Sequence, residues 1–244
     1  MAFLDEKQEL KYVEQLRSAV KDLGRDDGTL RRFLRARDYD LNKAEEMLRK
    51  SMKWREENDM DGCRKWIISD VVNQSFPHGC YGVDHEGRPV YYFPVGSWEV
   101  RQMIESGHKD DMLKLMLYTM ESIMERINKS SNDRFSLIID LELLTYWKVA
   151  HYETIQMVLK VFRDFEQNYP ERLGEAFVIN APMVLNYVWP LIKPLLTGHT
   201  MQKVRFLGSD CNKFIPELME KMPADTMSPK LCTMLNASRA DTFS

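Results

Sequence analysis

Cysteine is scarce and unpaired in this sequence. Cys63, Cys80, Cys211 and Cys232 are the only four in 244 residues, with no CxxC pair and no zinc-like spacing, so they read as reduced thiols. Charge of one sign is lacking too. The 34 basic and 37 acidic residues leave a net charge of −3, which gives no overall field toward nucleic acid or an anionic surface, so any basic site must be local. Glycine is sparse at 11 residues, and no GxGxxG or GxxxxGK[ST] loop is present to cradle a dinucleotide or nucleotide phosphate. GxSxG, HExxH and the protein-kinase signatures are absent as well. The five histidines, at 78, 85, 108, 151 and 199, are too scattered to suggest a metal cluster. No apolar run reaches the ~20 residues that span a bilayer, and MAFLDEKQEL lacks signal-peptide character. The expectation is a soluble intracellular protein, in which the sequons at Asn73, Asn128 and Asn236 are chance matches.

What is present begins with a charged helical segment. Leu10, Val13, Leu16 and Val20 share one face of a first helix that Gly24 ends. Asp26 and Asp27 can cap a second helix that turns Leu30, Phe33 and Leu34 inward and holds Arg31, Arg32, Arg35 and Arg37 on its other side. That cluster is either a solvated face or a phosphate site. A third helix from about Asn42 buries Ala44, Met47, Leu48 and Ser51 and closes at Trp54. Past Gly62 the pattern alternates. Cys80 to Val83 and Val90 to Val95 predict a hairpin about an Asp-Gly turn, followed by a helix from Lys109 to about Asn128 and a buried strand from Phe135 to Leu141. A helix over about 150–167, a strand over 177–179, an uncharged helix, a strand over 204–207 and a last helix over 213–221 complete the order. Alternating strands and helices imply an α/β fold with a largely parallel sheet covered on its faces, fronted by a helical lobe.

Two features invite functional readings. From Pro182 to Leu196 the only charge is Lys193, so this segment lies against something apolar, and Pro190 and Pro194 should kink or end it. It is either a core element or a movable cover over a cavity. Asp140 ends its strand where α/β enzymes place carboxylates, with His151 a short way on; without a nucleophile, backbone capping is the simpler role.

DDGTLRRFLRARDYDLNKAEEMLRKSMKWRE, then GVDHEGRPVYYF, SLIIDLELL and NYPERLGEAFVINAPMVLNYVWPLIKPLL…TMQKVRFLG, resemble the CRAL-TRIO family in order and spacing. This is the lipid-transfer fold of the yeast phosphatidylinositol transfer protein class and of the retinaldehyde-binding and tocopherol transfer proteins. The match covers nearly the whole chain, but the family's closing Pro and Gly-Gly segment is replaced by MPADTMSPKLCTML. The resemblance implies an N-terminal lobe over 1–60, a lipid-binding domain over 61–235 enclosing a hydrophobic cavity, and a tail over 236–244. It also implies a gate helix at Pro182 to Leu196, with Pro190, Pro194 and Gly198 as hinge positions. By similarity the cavity wall holds Phe93, Met116, Met120, Ile139, Tyr146, Val161, Phe165, Val188 and Ile192, and the compliant side chains among 16 methionines suit such a lining. Headgroup candidates are Glu171 of the PER motif, Lys203 of TMQK and Arg37. The lysine that phosphatidylinositol-binding members carry after LRAR is Asp38 here, which removes a charge-assisted bond.

The function so implied is a non-enzymatic carrier without cofactor or metal, taking up one phospholipid or one neutral hydrophobe such as a sterol, tocopherol, carotenoid or retinoid. A cytoplasmic monomer with transient membrane contact and no nucleic-acid partner is expected. The alternative is a membrane-docking adaptor in which the lipid is structural.

Overall fold

The computed structural model of the chain describes residues 4–130 and 132–241, with side chains as far as Leu235. Three helices, α1 (Glu6–Ala19), α2 (Asp27–Arg35) and α3 (Leu41–Glu57), form the lobe. The Asp5, Asp26 and Asp40 carboxylates each cap the following helix by accepting from its free amides. Val13, Leu16, Leu30, Phe33, Leu34, Ala44 and Leu48 make its core, as their spacing predicts. Leu10, expected on that face, is exposed instead. A shift of one residue brings in the buried Glu9, four before Val13, whose two oxygens accept from Arg35 Nε at 2.7 Å and Nη2 at 2.8 Å, with Tyr39 Oη at 2.7 Å. The third helix, α3, runs past Trp54, where the sequence pattern closes it, and stops at Glu57.

After the short helix α4 (Asp70–Ser75) comes a five-stranded sheet: β1 (Gly79–Val83), β2 (Pro89–Phe93), β3 (Phe135–Asp140), β4 (Leu173–Ile179) and β5 (Val204–Gly208). The strands lie side by side in chain order, β1 antiparallel to β2 and the rest parallel. The hairpin turn is pinned by Asp84, which accepts from the Glu86 and Arg88 amides at 2.9 Å and from the Ser136 hydroxyl on β3 at 2.6 Å. β4 begins at Leu173, four residues earlier than Phe177, because Gly174 and Glu175 interrupt the apolar pattern that marks its buried end.

Three crossovers link the parallel strands: α5 (Val100–Glu105) with α6 (Lys109–Asn128), α7 (Tyr146–Val149) with α8 (Tyr152–Asn168), and α9 (Leu185–Ile192) with α10 (Gly198–Met201). Right-handed crossovers that always step the same way across a sheet place their helices on one face. Accordingly Tyr91, Phe135 and Ala176 pack with Ile123, Ile127 and Tyr169 on that side. On the opposite face Val90, Tyr92, Ile138, Phe177 and Ile179 meet α11 (Cys211–Met219) and α12 (Pro229–Asp241). The sequence pattern shows α11 but not α12, which begins with PKLCTML at Pro229 and runs into the expected tail as far as Asp241; the rest of that tail lies outside the described residues.

Candidate ligand site and family membership

Two small spaces adjoin on the crossover face. The apolar one, about 20 Å³, lies between α6 and α8 and is lined by Leu113, Met116, Leu117, Met120, Val161 and Phe165, with Asp164 and Tyr169 at its edge. It has room for about one water, whereas a lipid-sized ligand fills roughly 300–1,000 Å³, so the helices are closed on each other here. The polar one, about 10 Å³, is bounded by Ala36, Glu166, Glu171, Thr197, Thr200 and Lys203. Phe165 and Tyr169 belong to both walls, so an amphiphile whose tail parted α6 from α8 would leave its polar end beside Glu171.

The expected wall residues divide by location. Met116, Met120, Val161 and Phe165 line the apolar space. Phe93 sits where the sheet meets both crossover clusters, and Ile139 lies on the same face by alternation with Phe135 and Leu137. Val188 and Ile192 are buried on the inner side of α9, which packs on α8. Tyr146 differs: it stands on α7, 65% exposed, with its ring edge-to-face to Tyr187 of α9 at 6.3 Å. The chain leaves β3 through Leu143 at φ 69° and swings α7 out past the strand end, so Tyr146 belongs to the surface.

Glu171 and Lys203, 32 residues apart in sequence, do come together, with Lys203 Nζ donating to Glu171 Oε2 at 3.0 Å. Burial pushes the Glu171 carboxyl up, but Lys203, His199 and Arg134 together outweigh it and hold the group below the usual carboxylate range. Arg134 Nη2 is 3.7 Å from the same oxygen. His199 was not expected in this role. It opens α10 just before the TMQK motif, and its Nδ1 lies 3.1 Å from Glu171 Oε1 while its Nε2 lies 3.3 Å from Asp38 Oδ1. Asp38 and Glu171 both hold left-handed backbone, at φ 51° and 60°, a local strain that places both carboxylates against one ring. Glu166, also unforeseen, accepts from the Thr197 amide at 2.8 Å and the Thr200 hydroxyl at 2.9 Å. Arg37 is elsewhere: it donates to the Ala36 carbonyl at 3.0 Å and its charge acts on Glu46 of α3. A lone histidine in TGHT carries no motif, so only the fold could place it.

The gate candidate α9 runs through Pro190 and stops two residues before Pro194, which sits in a single 3₁₀ turn over Lys193–Leu195. Thr197 then caps α10. Gly198 has an ordinary backbone, and a Cβ there would meet nothing within 4 Å, so its conformation does not require glycine. Tyr187 and Leu191 of α9 are exposed, as are Met183 just before it and Leu143, Trp147 and Tyr152 around α7, whose Tyr146 ring meets Tyr187. Among the described residues no helix is long and apolar enough to cross a membrane.

Asp140 is a structural node. One of its oxygens accepts from the Tyr92 hydroxyl and Lys230 Nζ, both at 2.6 Å, and the other from the Asn180 amide and the Glu142 backbone, both at 2.9 Å. Burial raises its carboxyl, yet Lys230, Tyr92 and Asn180 bring it below the ordinary range. With its acceptor sites taken and 1% exposure, it has no free face for a substrate, while His151 contacts Thr154 on its own helix.

The fold is a helix-covered, mostly parallel α/β domain with an apolar and a polar space side by side on its crossover face. Comparison with known proteins makes this specific. Residues 73–229 match the CRAL/TRIO domain and residues 2–50 the CRAL/TRIO N-terminal domain. The chain belongs to the CRAL-TRIO family of lipid-binding and transfer domains. It is 33% identical over 218 residues to Protein real-time of Drosophila melanogaster, covering 84% of this chain and 32% of that protein. Over 237 residues it is 31% identical to the Sec14 cytosolic factor of Schizosaccharomyces pombe, covering 93% and 78%. The chain thus spans about a third of the length of the Drosophila relative. The crystal structure of Sfh5 superimposes with a TM-score of 0.70 at 18% identity, covering 86% of this chain and 83% of that one, which supports the fold.

Proposed function

We propose that this chain is a non-enzymatic carrier that encloses one hydrophobic ligand between the sheet and α6, α8 and α9, and exchanges it at membranes as α9 moves. In this reading residues 1–60 are the lobe, 61–235 the lipid-binding domain and 236–244 a tail; no cofactor takes part, and the chain works as a cytoplasmic monomer that touches membranes transiently, as befits relatives named cytosolic factors. The observation that carries the proposal is the pairing of a methionine-lined apolar space with an adjoining polar one, covered nearby by an uncharged helix whose outer face is apolar. Exposing an acyl chain of ~16 carbons to water costs on the order of 10 kcal/mol, so a carrier must close over it, and unbranched thioethers can give way to it and refill the space when it leaves. Tyr146, Trp147, Tyr152 and Tyr187 are amphipathic side chains suited to a membrane-water boundary. Pro194 and Gly198 bracket the short turn through which α9 would move.

Native mass spectrometry of freshly purified protein, with organic extraction of what it holds and a vesicle-to-vesicle transfer assay, tests this. One bound lipid and measurable transfer are expected; no retained lipid together with no transfer would sink the proposal. The closed interior also suits an adaptor whose lipid is structural, and that reading predicts a retained lipid without exchange.

A further inference from the structure

The polar space is already neutralised by the chain itself, and this bears on what it can accept. Its walls and rim hold three carboxylates, Asp38, Glu166 and Glu171, against two permanent cations, Lys203 and Arg134, and the His199 imidazole. Among the described residues, each of those cations faces Glu171. Both ring nitrogens of His199 face carboxylates, so even a protonated ring has no N–H left for a ligand. A phosphate entering here would have to take Lys203 from Glu171, stripping a carboxylate whose side chain is only 10% exposed of its nearest permanent cation and leaving it Arg134 at 3.7 Å and the His199 ring, with Glu166 and Asp38 adding repulsion. A hydroxyl meets no such penalty. Glu166 Oε2, bonded to Thr200 alone among the described contacts, can accept from it, and the Thr197 and Thr200 hydroxyls can reorient to meet it.

We infer that the site excludes anionic headgroups and takes a lipid whose polar end is uncharged and hydroxyl-bearing, with the Asp38–His199–Glu171 cluster as the specificity determinant. This rests on the carrier reading above. The same cluster ties the lobe, through Asp38, to α10 and to the PER motif, so the discrimination is set where lobe and lipid domain meet.

The test offers the protein phosphatidylcholine vesicles carrying, in equal amounts, phosphatidylinositol and a neutral set of cholesterol, tocopherol and retinol, and quantifies the lipid bound after reisolation. The wild type is expected to recover a neutral alcohol over phosphatidylinositol by about tenfold or more. Asp38→Lys should raise phosphatidylinositol capture by about tenfold, since it turns the carboxylate facing His199 into a free cation. Asp38→Asn, which keeps a residue tolerant of left-handed backbone, should give a smaller rise in the same direction. Phosphatidylinositol bound by the wild type on a par with the neutral set overturns the inference and leaves the carrier reading standing; a Arg37→Ala variant that then loses it would show that Arg37 supplies the missing cation. No gain in either Asp38 variant overturns the role of the cluster. No lipid of either kind overturns the inference and the carrier reading together.

Discussion

The two faces of the sheet are built to different standards. On the far face, Phe214, Ile215, Leu218, Met222 and Leu231 are all 0–1% exposed, and Lys230 fastens α12 to Asp140 and Glu142. On the crossover face, Phe93, Met116, Met120, Leu137 and Phe165 are only partly buried, and both small spaces lie among their helices. A close-packed interior transmits strain and resists opening, whereas one filled by flexible thioethers can repack. Under the carrier proposal the far face is the fixed side and the crossover face the side that opens, so a ligand would enter from the second.

The largest effect should come from a cavity on the fixed side. Phe214→Ala is expected to lower stability by about 3–5 kcal/mol, because the sealed contacts of α11 cannot collapse around the void. Met120→Ala beside the apolar space should cost only about 2 kcal/mol, the low end for a methionine truncation, because this side chain is partly exposed and its neighbours can refill the space. Urea unfolding of both variants checks this, and equal losses would erase the distinction between the faces.

Next in size is the Asp140 node. Asp140→Asn should cost about 3 kcal/mol at neutral pH, since it leaves Lys230 with Glu142 alone and the Tyr92 hydroxyl without its anionic acceptor. The sign of the pH dependence follows from the depressed carboxyl. Its stabilisation is complete above the ordinary aspartate value of about 3.9 and is lost as pH falls through the lower folded value. Glu171 contributes the same slope. The gap between wild type and Asp140→Asn in unfolding midpoint should therefore narrow as the pH is taken toward about 3; a gap that widens instead would contradict the assignment.

How much of this was legible in the sequence depends on what each residue's role requires. Every strand, the helical lobe and the uncharged helix follow from periodicity and turn chemistry, because burial of one face forces spacing. Glu9 shows the limit: a buried carboxylate at a position where Leu10 fits the pattern becomes intelligible only once Arg35 and Tyr39, on other segments, are seen beside it. His199 and Glu166 are hidden for the same reason, since a side chain whose partners come from distant segments leaves no local mark. Glu171 and Lys203 could be anticipated only because motifs carried them. Tyr146 was placed on the wall by similarity alone, and a likeness of motifs does not register that left-handed Leu143 turns the chain outward ahead of it.

A smaller effect belongs to the outer surface of the side able to open. Trp147→Ala and Tyr187→Ala should each weaken binding to phosphatidylcholine vesicles by about 10- to 150-fold, as the loss of about 1.5–3 kcal/mol of apolar transfer implies. Stability should move by only about 0.5 kcal/mol, because neither side chain is buried. Co-flotation with vesicles and a parallel urea curve separate the two quantities. Ile67, 89% exposed and on a different segment, provides the control: Ile67→Ala should leave vesicle binding unchanged, and a loss as large as that of Trp147→Ala would mean that general stickiness, not this surface, makes the contact.

The smallest effect tests where that side bends. Gly198 has ordinary backbone and open space at its Cβ, so Gly198→Ala removes freedom from the unfolded chain without a clash and should raise stability by about 0.4–1 kcal/mol. If the turn between Pro194 and α10 is where α9 swings, the same substitution should slow lipid exchange while leaving the identity of the bound lipid unchanged, because the wall and the polar cluster are untouched. A faster exchange would place the bend elsewhere. The turn before α9, where Asn180 holds φ 54° and its side-chain amide donates to the fixed Asp140 node, would then be the next position to stiffen.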